Sequence, residues 1–379
     1  MQELALRNMN FLIVTHVLHA QKEAEYFAYA PYVKEMNLWL KYVDKVTVVA
    51  PLLADKEIRP IDIAYKHKEI DFRSIPAFDL LSLKSSLKTL LVLPLIFFKI
   101  LGAMRKADHI HLRCPGNIGL IGCMAQIFFP SKTKTAKYAG NWDPKSKQPL
   151  SYRLQKRMLS NTFLTKNMNV LVYGNWKQQT KNIKPFFTAT YRDHDKGEVI
   201  KRTFDDVIQF SFVGSLSPGK RPLLTIQIVE KLRKLNYNVR LDIFGDGEKR
   251  TELEAYIIQN QLEKCIRLHG NVTAEEVKEV HKTAHFMLLP SKSEGWPKVV
   301  AEAMFWGSLP IVTKISCVPY MLAEGNRGIL IDPTVSTAVA EIEKVLSSPK
   351  NYQEKVTKAM EWSRIYTLDK FETEIKSLL

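Results

Sequence analysis

Cysteine is scarce in this chain: four thiols in 379 residues, Cys114, Cys123, Cys265 and Cys317, with no paired spacing. That pattern argues against a zinc site or a disulfide framework and for a reducing compartment, with the cytoplasm as the expected location. The chain also lacks an apolar run of membrane-spanning length. Its longest candidate, Thr89 to Phe98 (TLLVLPLIFF), falls well short of the roughly 20 residues a helix needs to span a bilayer. The short run Met9 to Val14 is followed closely by His16 and His19 and reads as a first buried strand rather than the core of a signal peptide. There is no low-complexity tract and no repeat of solenoid length. Acidic residues are sparse in the first half. Residues 1–200 hold 30 Lys and Arg against 16 Asp and Glu, net +14, and the remainder 25 against 23, net +2.

With 46% hydrophobic residues, the chain is long enough to bury the cores of two globular domains. Short β-type runs alternate with helical patterns, which implies parallel sheets covered by helices. One series holds Asn10–Val14, Lys45–Ala50, His109–Leu112, Thr135–Ala139 and Val170–Tyr173. The other holds Phe210–Val213, Val239–Phe244, Ile266–His269, Phe286–Leu289, Leu309–Val312 and Gly328–Ile331. The polar stretch Ala189 to Asp206 between them is the expected domain boundary. A last helix carries Leu368, Phe371, Ile375 and Leu378 at helical spacing.

The most specific segment is Pro290 to Val312, PSKSEGWPKVVAEAMFWGSLPIV. Pro297 favours a helix start, which puts Glu294 in the preceding loop and Glu302 about two turns along. Free amide groups and the helix dipole at such a start attract a diphosphate, while the two carboxylates can accept hydrogen bonds from sugar hydroxyls. A second segment, Phe212 to Leu224 (FVGSLSPGKRPLL), ends a strand in a tight turn and starts a helix at Pro222, with Lys220 and Arg221 just before it. Cations beside unsatisfied amides make a phosphate clamp, worth about 1.5–3 kcal/mol per charge-assisted contact.

The first of these segments resembles the Glu-seven-Glu signature of family-4 retaining glycosyltransferases (glycosyl transferases group 1), with Gly295, Pro297, Ala303, Met304, Gly307 and Pro310 at matching places. The resemblance implies an α/β chain of the GT-B fold: two doubly wound Rossmann-like parallel-sheet domains facing a cleft, with a C-terminal helix crossing back to the first. The expected division is residues 1–200 with 365–379 for the acceptor, and 207–364 for the nucleotide-sugar. It further implies that Glu294 orients a hexose, Glu302 holds a ribose and Lys220 holds the donor phosphates, with Gly295, Trp296 and Pro297 around them. Relatives place an arginine where this chain has Ser215, a departure that Arg221 is positioned to offset. The turn FGDG, with Gly245 and Gly247, and the loop His269–Thr273, with Val272, are expected near the nucleotide base.

In the first domain the likeness thins. Many relatives have a paired-glycine loop after the first strand, whereas Thr15 to Tyr26 holds no glycine, leaving His16 and His19 to replace backbone contacts. The loop Tyr138 to Asp143 (YAGNWD) lacks the histidine of many relatives. There Asn141 is the candidate catalytic group beside Lys220 and Glu294, Asp143 a candidate hydrogen-bond partner for sugar, and Trp142 a candidate stacking face. An Asx-type turn with a packed tryptophan is the equally available reading. His111 and Arg113 are expected to point toward the acceptor.

From Leu80 to Arg192 there are 19 basic residues against Asp108 and Asp143 alone. The segment 80–106 joins lysines to apolar residues, as an element lying on an anionic membrane does, and a buried helix kinked at Pro94 explains its apolar face equally well. The expectation is thus a peripheral membrane enzyme. It would move a hexose from a nucleoside-diphosphate sugar to a saccharide or lipid-linked acceptor in bacterial cell-envelope polysaccharide synthesis, without cofactor or essential metal. A basic nucleic-acid- or membrane-binding protein without catalysis is the competing class, although no nucleic-acid motif is seen and no specific nucleic acid is expected. A sugar-nucleotide epimerase of the same fold is the third.

Overall fold

The computed structural model describes residues 9–53, 57–59, 61–77 and 83–379, with the backbone alone for 83–91. The chain divides into two compact units, one made of Met1–Phe186 with Glu372–Leu379, the other of Phe187–Phe371.

In the first unit the strands are β1 (Asn10–Val14), β2 (Ala20–Lys22), β3 (Glu25–Tyr29), β4 (Lys45–Pro51), β5 (Asp62–Ala64), β6 (Ile70–Ile75), β7 (His109–Cys114), β8 (Thr133–Tyr138), β9 (Met168–Tyr173) and β10 (Ile183–Phe186). Seven of them form a parallel sheet in the order β10-β9-β8-β7-β1-β4-β6, and β2, β3 and β5 form a small antiparallel sheet. Central strands such as β1, NFLIV, are apolar on both faces because helices cover both sides. The order reverses between β1 and β7, which makes the carboxyl ends of these two strands the natural crevice of the sheet.

The second unit holds β11 (Ile208–Val213), β12 (Val239–Phe244), β13 (Ile266–Gly270), β14 (Phe286–Leu289), β15 (Leu309–Thr313) and β16 (Ile329–Ile331), all parallel, in the order β13-β12-β11-β14-β15-β16. This is the 3-2-1-4-5-6 order of a dinucleotide-binding sheet, with its switch point between β11 and β14.

All eleven expected strands are present. The polar stretch 189–206, read as the boundary, instead belongs to the second unit. The reason is a buried cation: the Arg202 guanidinium donates to the carbonyls of Gly307, Trp306, His281 and Lys282, which ties the stretch down. The last helix, Leu368–Lys376, carries the second division point. Phe371 packs on Phe187 within the second unit, while Glu372 accepts from Lys41 and Tyr42 within the first.

Of the segment 80–106, residues 80–82 lie outside the described residues, and the rest forms the helix Leu83–Lys106 with Pro94 inside it. Ile96, Ile100, Ala103 and Met104 from this helix are buried in the core of the first unit. Among the described residues, no helix is long and apolar enough to cross a membrane.

Candidate functional site

The switch point of the second unit brings two distant loops together. The loop after β11 runs to the helix Pro222–Lys234, and the loop after β14 runs to the helix Lys298–Phe305. Three bonds join the loops. The Lys292 N–H donates to Gly219 O at 2.8 Å, the Arg221 guanidinium donates to Pro290 O at 3.3 Å, and Lys220 Nζ lies 2.5 Å from Glu294 Oε1. The ion pair is partly shielded, with 29% of the lysine side chain and 9% of the glutamate side chain exposed.

The Glu294 loop is braced from behind by the end of β15 and the turn after it. Thr313 Oγ1 donates to Ser291 O at 2.6 Å, the Glu294 N–H donates to Ser316 Oγ at 3.4 Å, and the Cys317 thiol donates to Gly295 O at 2.9 Å. Burial pushes that thiol up to about 12, so it stays a protonated donor.

Other expected donor residues are placed differently. Pro297 is the residue before the first helical turn, with extended backbone, rather than its first member. Trp296 is buried, its ring against Trp362 and Tyr366 at 6.1 and 5.9 Å, so it packs the core instead of facing a ligand. Ser215 Oγ pairs with Ser217 Oγ at 3.3 Å, and Arg221 sits at φ +53° with its guanidinium on Pro290 O, holding the loop. Glu302 accepts from Thr190 Oγ1 at 2.5 Å in a narrow crevice with Tyr191, Lys298 and Tyr366. Burial raises its carboxyl pKa, against the opposing pull of Thr190 and Lys298. None of the residues bonded to Lys220 or Glu294 lines that crevice, so the structure brings Lys220 and Glu294 together and leaves Glu302 on separate partners.

Gly245 is required by close packing. At φ +128° its added Cβ would lie 2.0 Å from Gly214 O, so no side chain fits between the loops that follow β11 and β12. At Gly247 a Cβ would meet Leu216 O at 2.8 Å. His269 stacks on Phe244 at 4.5 Å and bonds Asp242 at 2.6 Å, Val272 is half-buried, and Thr273 caps the helix Ala274–Thr283 with Glu276.

In the first unit several expected acceptor residues are engaged within the fold. His111 is fully buried, its Nδ1 at 2.8 Å from Thr135 Oγ1 and its ring beside Phe11 and Trp39. Burial holds its pKa well below the usual histidine range. Arg113 pairs with Glu35 at 3.0 Å, both largely buried, and stands over the Tyr32 ring. Both residues lie on β7, which is central in a parallel sheet and covered on both faces. Trp142 is 2% exposed, donates to Gln179 Oε1 and meets Tyr138 edge-on at 4.8 Å, so its ring offers no face to an acceptor. Asn141 Oδ1 accepts from the Asp143 N–H and Asp143 Oδ1 from the Lys145 N–H, which is the Asx-turn arrangement. His19 is buried against Tyr65. Only His16 remains exposed, over Gly116 at the carboxyl ends of β1 and β7.

Sequence reasoning missed a crevice of about 370 Å³ in the first unit, lined by Val17, Leu18, Tyr29, Leu53, Glu57 and Arg59. It lies just beyond the carboxyl ends of β1 and β4, and no sequence signal marks it, because the exposure of Leu18 is set by the fold. Arg59 there is oriented by Asp62 at 3.1 Å. Sequence reasoning also overlooked the chain's Asp-x-Asp triplet, Asp193–Asp195. Its carboxylates are engaged: Asp193 by Lys196, and Asp195 by the Arg192 N–H. Among the described residues, no group of three or more His, Cys, Asp or Glu is placed to hold a metal.

Two doubly wound parallel sheets, with a cation and a carboxylate joined at the switch point of the second, define a GT-B architecture. Residues 195–362 match the model of the family described as glycosyl transferases group 1. The chain is 26% identical over 169 residues to a phosphatidylinositol N-acetylglucosaminyltransferase subunit of Arabidopsis thaliana, covering 43% of this chain and 38% of that protein. It is 31% identical over 129 residues to the D-inositol 3-phosphate glycosyltransferase of Corynebacterium efficiens, covering 32% and 30%. The matched stretches thus span well under half the length of these curated relatives. Among solved structures, Anabaena HepE in complex with UDP and glucose superposes with a TM-score of 0.64 at 14% identity, over 97% of this chain and 98% of that one. Sucrose-phosphate synthase from Thermosynechococcus elongatus gives 0.65 at 14%, over 98% of each.

Proposed function

We propose that this protein transfers a hexose from a nucleoside-diphosphate sugar to a saccharide or lipid-linked acceptor, with retention of anomeric configuration, at the cytoplasmic face of a bacterial membrane in envelope polysaccharide synthesis. The observation that carries the proposal is the Lys220–Glu294 pair at the switch point of a dinucleotide-type sheet, inside the matched residues 195–362. A solved structure of the same fold is in complex with UDP and glucose, and curated relatives are named for transfer to phosphatidylinositol and inositol phosphate. Both support a nucleotide-sugar donor and a polyol or lipid-linked acceptor.

In this mechanism the protein supplies electrostatics more than a nucleophile. Lys220 and the amide groups at the start of the helix Lys298–Phe305 stabilise charge growing on the departing diphosphate, and such preorganised stabilisation is usually the largest catalytic contribution. Glu294 orients the hexose and Glu302 the ribose. The donor phosphate takes the acceptor's proton on the same face of the sugar. The acceptor enters through the crevice of Val17, Leu18, Tyr29, Leu53, Glu57 and Arg59, whose apolar walls beside one carboxylate and one guanidinium suit a polar head on an apolar stem.

The test is a screen of nucleotide-sugars by thermal shift, followed by incubation of the best donor with polyol and lipid-linked acceptors. A donor at a hundred times its dissociation constant stabilises by about 2.7 kcal/mol. Release of nucleoside diphosphate with an α-glycoside formed from an α-linked donor supports the proposal. An inverted sugar without acceptor identifies an epimerase, and no shift with any donor removes the proposal.

A further inference from the structure

The proposed peripheral location rests on sequence, and the structure supplies a surface for it. The helices Leu83–Lys106, Asn117–Ala125 and Leu150–Leu159 connect β6 to β7, β7 to β8 and β8 to β9. All three crossovers run the same way along the sheet, and right-handed connections then put them on one face. One core cluster confirms this, since it gathers Ile96 and Ile100, Ile118 and Ile121, and Leu159 from the three helices. Their outer sides therefore form one continuous layer surface.

That surface leaves large apolar side chains uncovered. Phe98 of the first helix, Phe128 in the short turn after the second and Phe163 in the turn after the third are 67, 66 and 77% exposed, and Leu95 of the first helix and Leu150 and Leu154 of the third are exposed as well. The layer is continuous across helices, because Phe97 touches both Phe98, at 5.8 Å, and Phe128, at 6.3 Å. Leu150 and Leu154 are one helical turn apart and share a face. Cations stand among them. Lys99, Arg105, Arg153 and Arg157 are exposed, and Lys166 lies over the Phe163 ring. Between residues 80 and 192 the acids are Asp108 and Asp143 alone, and Asp143 is bound in its own turn.

We infer that this three-helix face docks on a bilayer containing anionic lipid. The phenylalanines and leucines enter the headgroup boundary while the arginines and lysines, on flexible stems, meet lipid phosphates. The one-signed charge selects the occupant. An apolar patch meant for a protein partner has no need of charge of one sign around it, whereas an anionic lipid surface is complementary to the exposed Lys99, Arg105, Arg153 and Arg157. The inference deepens the proposed function by naming the face and the lipid chemistry, and it stands or falls by a readout that does not involve catalysis.

The experiment is co-sedimentation of the full chain with vesicles of equal phosphatidylglycerol and phosphatidylcholine, and with phosphatidylcholine alone, at low and at physiological salt. The parent is expected to pellet with the anionic vesicles and at least tenfold less with the neutral ones. F98E/F128E and R153E/R157E should each weaken partitioning about tenfold or more, with unchanged circular dichroism melting and an unchanged thermal shift by donor. Absence of anionic-vesicle binding overturns the inference, as does equal partitioning of F98E/F128E and parent. So does retention on nucleic acid that survives physiological salt while vesicle binding does not. A chain that binds vesicles yet shows no donor shift refutes the transferase proposal and leaves this one standing.

Discussion

Lys220 Nζ lies 2.5 Å from Glu294 Oε1, although 74 residues separate them in the chain. Parallel topology creates the contact: β11 and β14 are hydrogen-bonded neighbours, and each hands its next residues to the same end of the sheet. Without ligand, each charge satisfies the other. Under the proposed function, a diphosphate entering at the helix start competes for the lysine and leaves the carboxylate to turn to a sugar hydroxyl, and the pair is then an arrangement for the donor to open.

Lys220→Ala should therefore lower donor turnover by about 100-fold or more, the usual cost of removing one donor from a transition-state clamp. It should also destabilise the second unit by about 1–3 kcal/mol, since Glu294 is left shielded and unpaired. Steady-state kinetics and a melting curve check both. Wild-type kcat/KM in the variant would take Lys220 out of the site.

Glu294→Gln separates the two roles. The amide oxygen still accepts from Lys220, so the fold and the nucleoside-diphosphate site persist, but an oriented charge toward the hexose is lost. Turnover should fall about tenfold or more while the thermal shift by nucleoside diphosphate alone stays within a degree of the parent's. A lost shift would reassign Glu294 to the phosphates.

Gly245→Ala tests the close approach of the two loops. The new methyl would sit 2.0 Å from the Gly214 carbonyl at φ +128°, and the obstacle is backbone that cannot rotate aside. Overpacking and backbone strain together predict a loss of about 3 kcal/mol or more, read as a lower melting temperature of the second unit. A neutral substitution would mean that the loops separate freely.

The fold was largely legible. Central parallel strands are buried on both faces, so segments such as FMLL of β14 read as unbroken apolar runs, and the turn residues between them set the spacing. The elements that escaped notice are edge or accessory strands. In β6, IDFRSI, polar and apolar residues are mixed because its outer edge has no neighbouring strand among the described residues, and β2 and β5 are three residues each. The site divides the same way. Lys220 and Glu294 stand out in the sequence because each follows a strand end beside a helix start, and the structure joins the two in one ion pair. His111, Arg113 and Trp142 were misassigned because side-chain chemistry alone does not report burial. On the strand and turn they occupy, an imidazole, a guanidinium and an indole are partnered by Thr135, Glu35 and Gln179 instead of by substrate.

Those buried histidines carry a pH prediction. His109 and His111 share the Thr135 hydroxyl beneath Phe11 and Trp39, and burial lowers both, His109 to about 4. His281 in the second unit is lowered to about 3 by burial and then by Arg202. The unfolded chain takes up these protons near pH 6.5, and the folded chain resists until its own lower pKa is reached. Between those limits the unfolded state binds more protons, so stability is fully present above about pH 6.5 and is lost as pH falls toward 4. For His109 the difference corresponds to on the order of 3 kcal/mol. Glu302, whose pKa is raised, works in the opposite direction, as a single group against these three histidines and against His16 and His285, which burial also lowers. Melting temperature should thus drop steeply between pH 6.5 and 4.5, and His109→Phe, which keeps the aromatic packing and removes one titrating ring, should flatten the first unit's share of that drop. An unaltered slope in the variant would show that His109 is already charged, or exposed, in the folded chain.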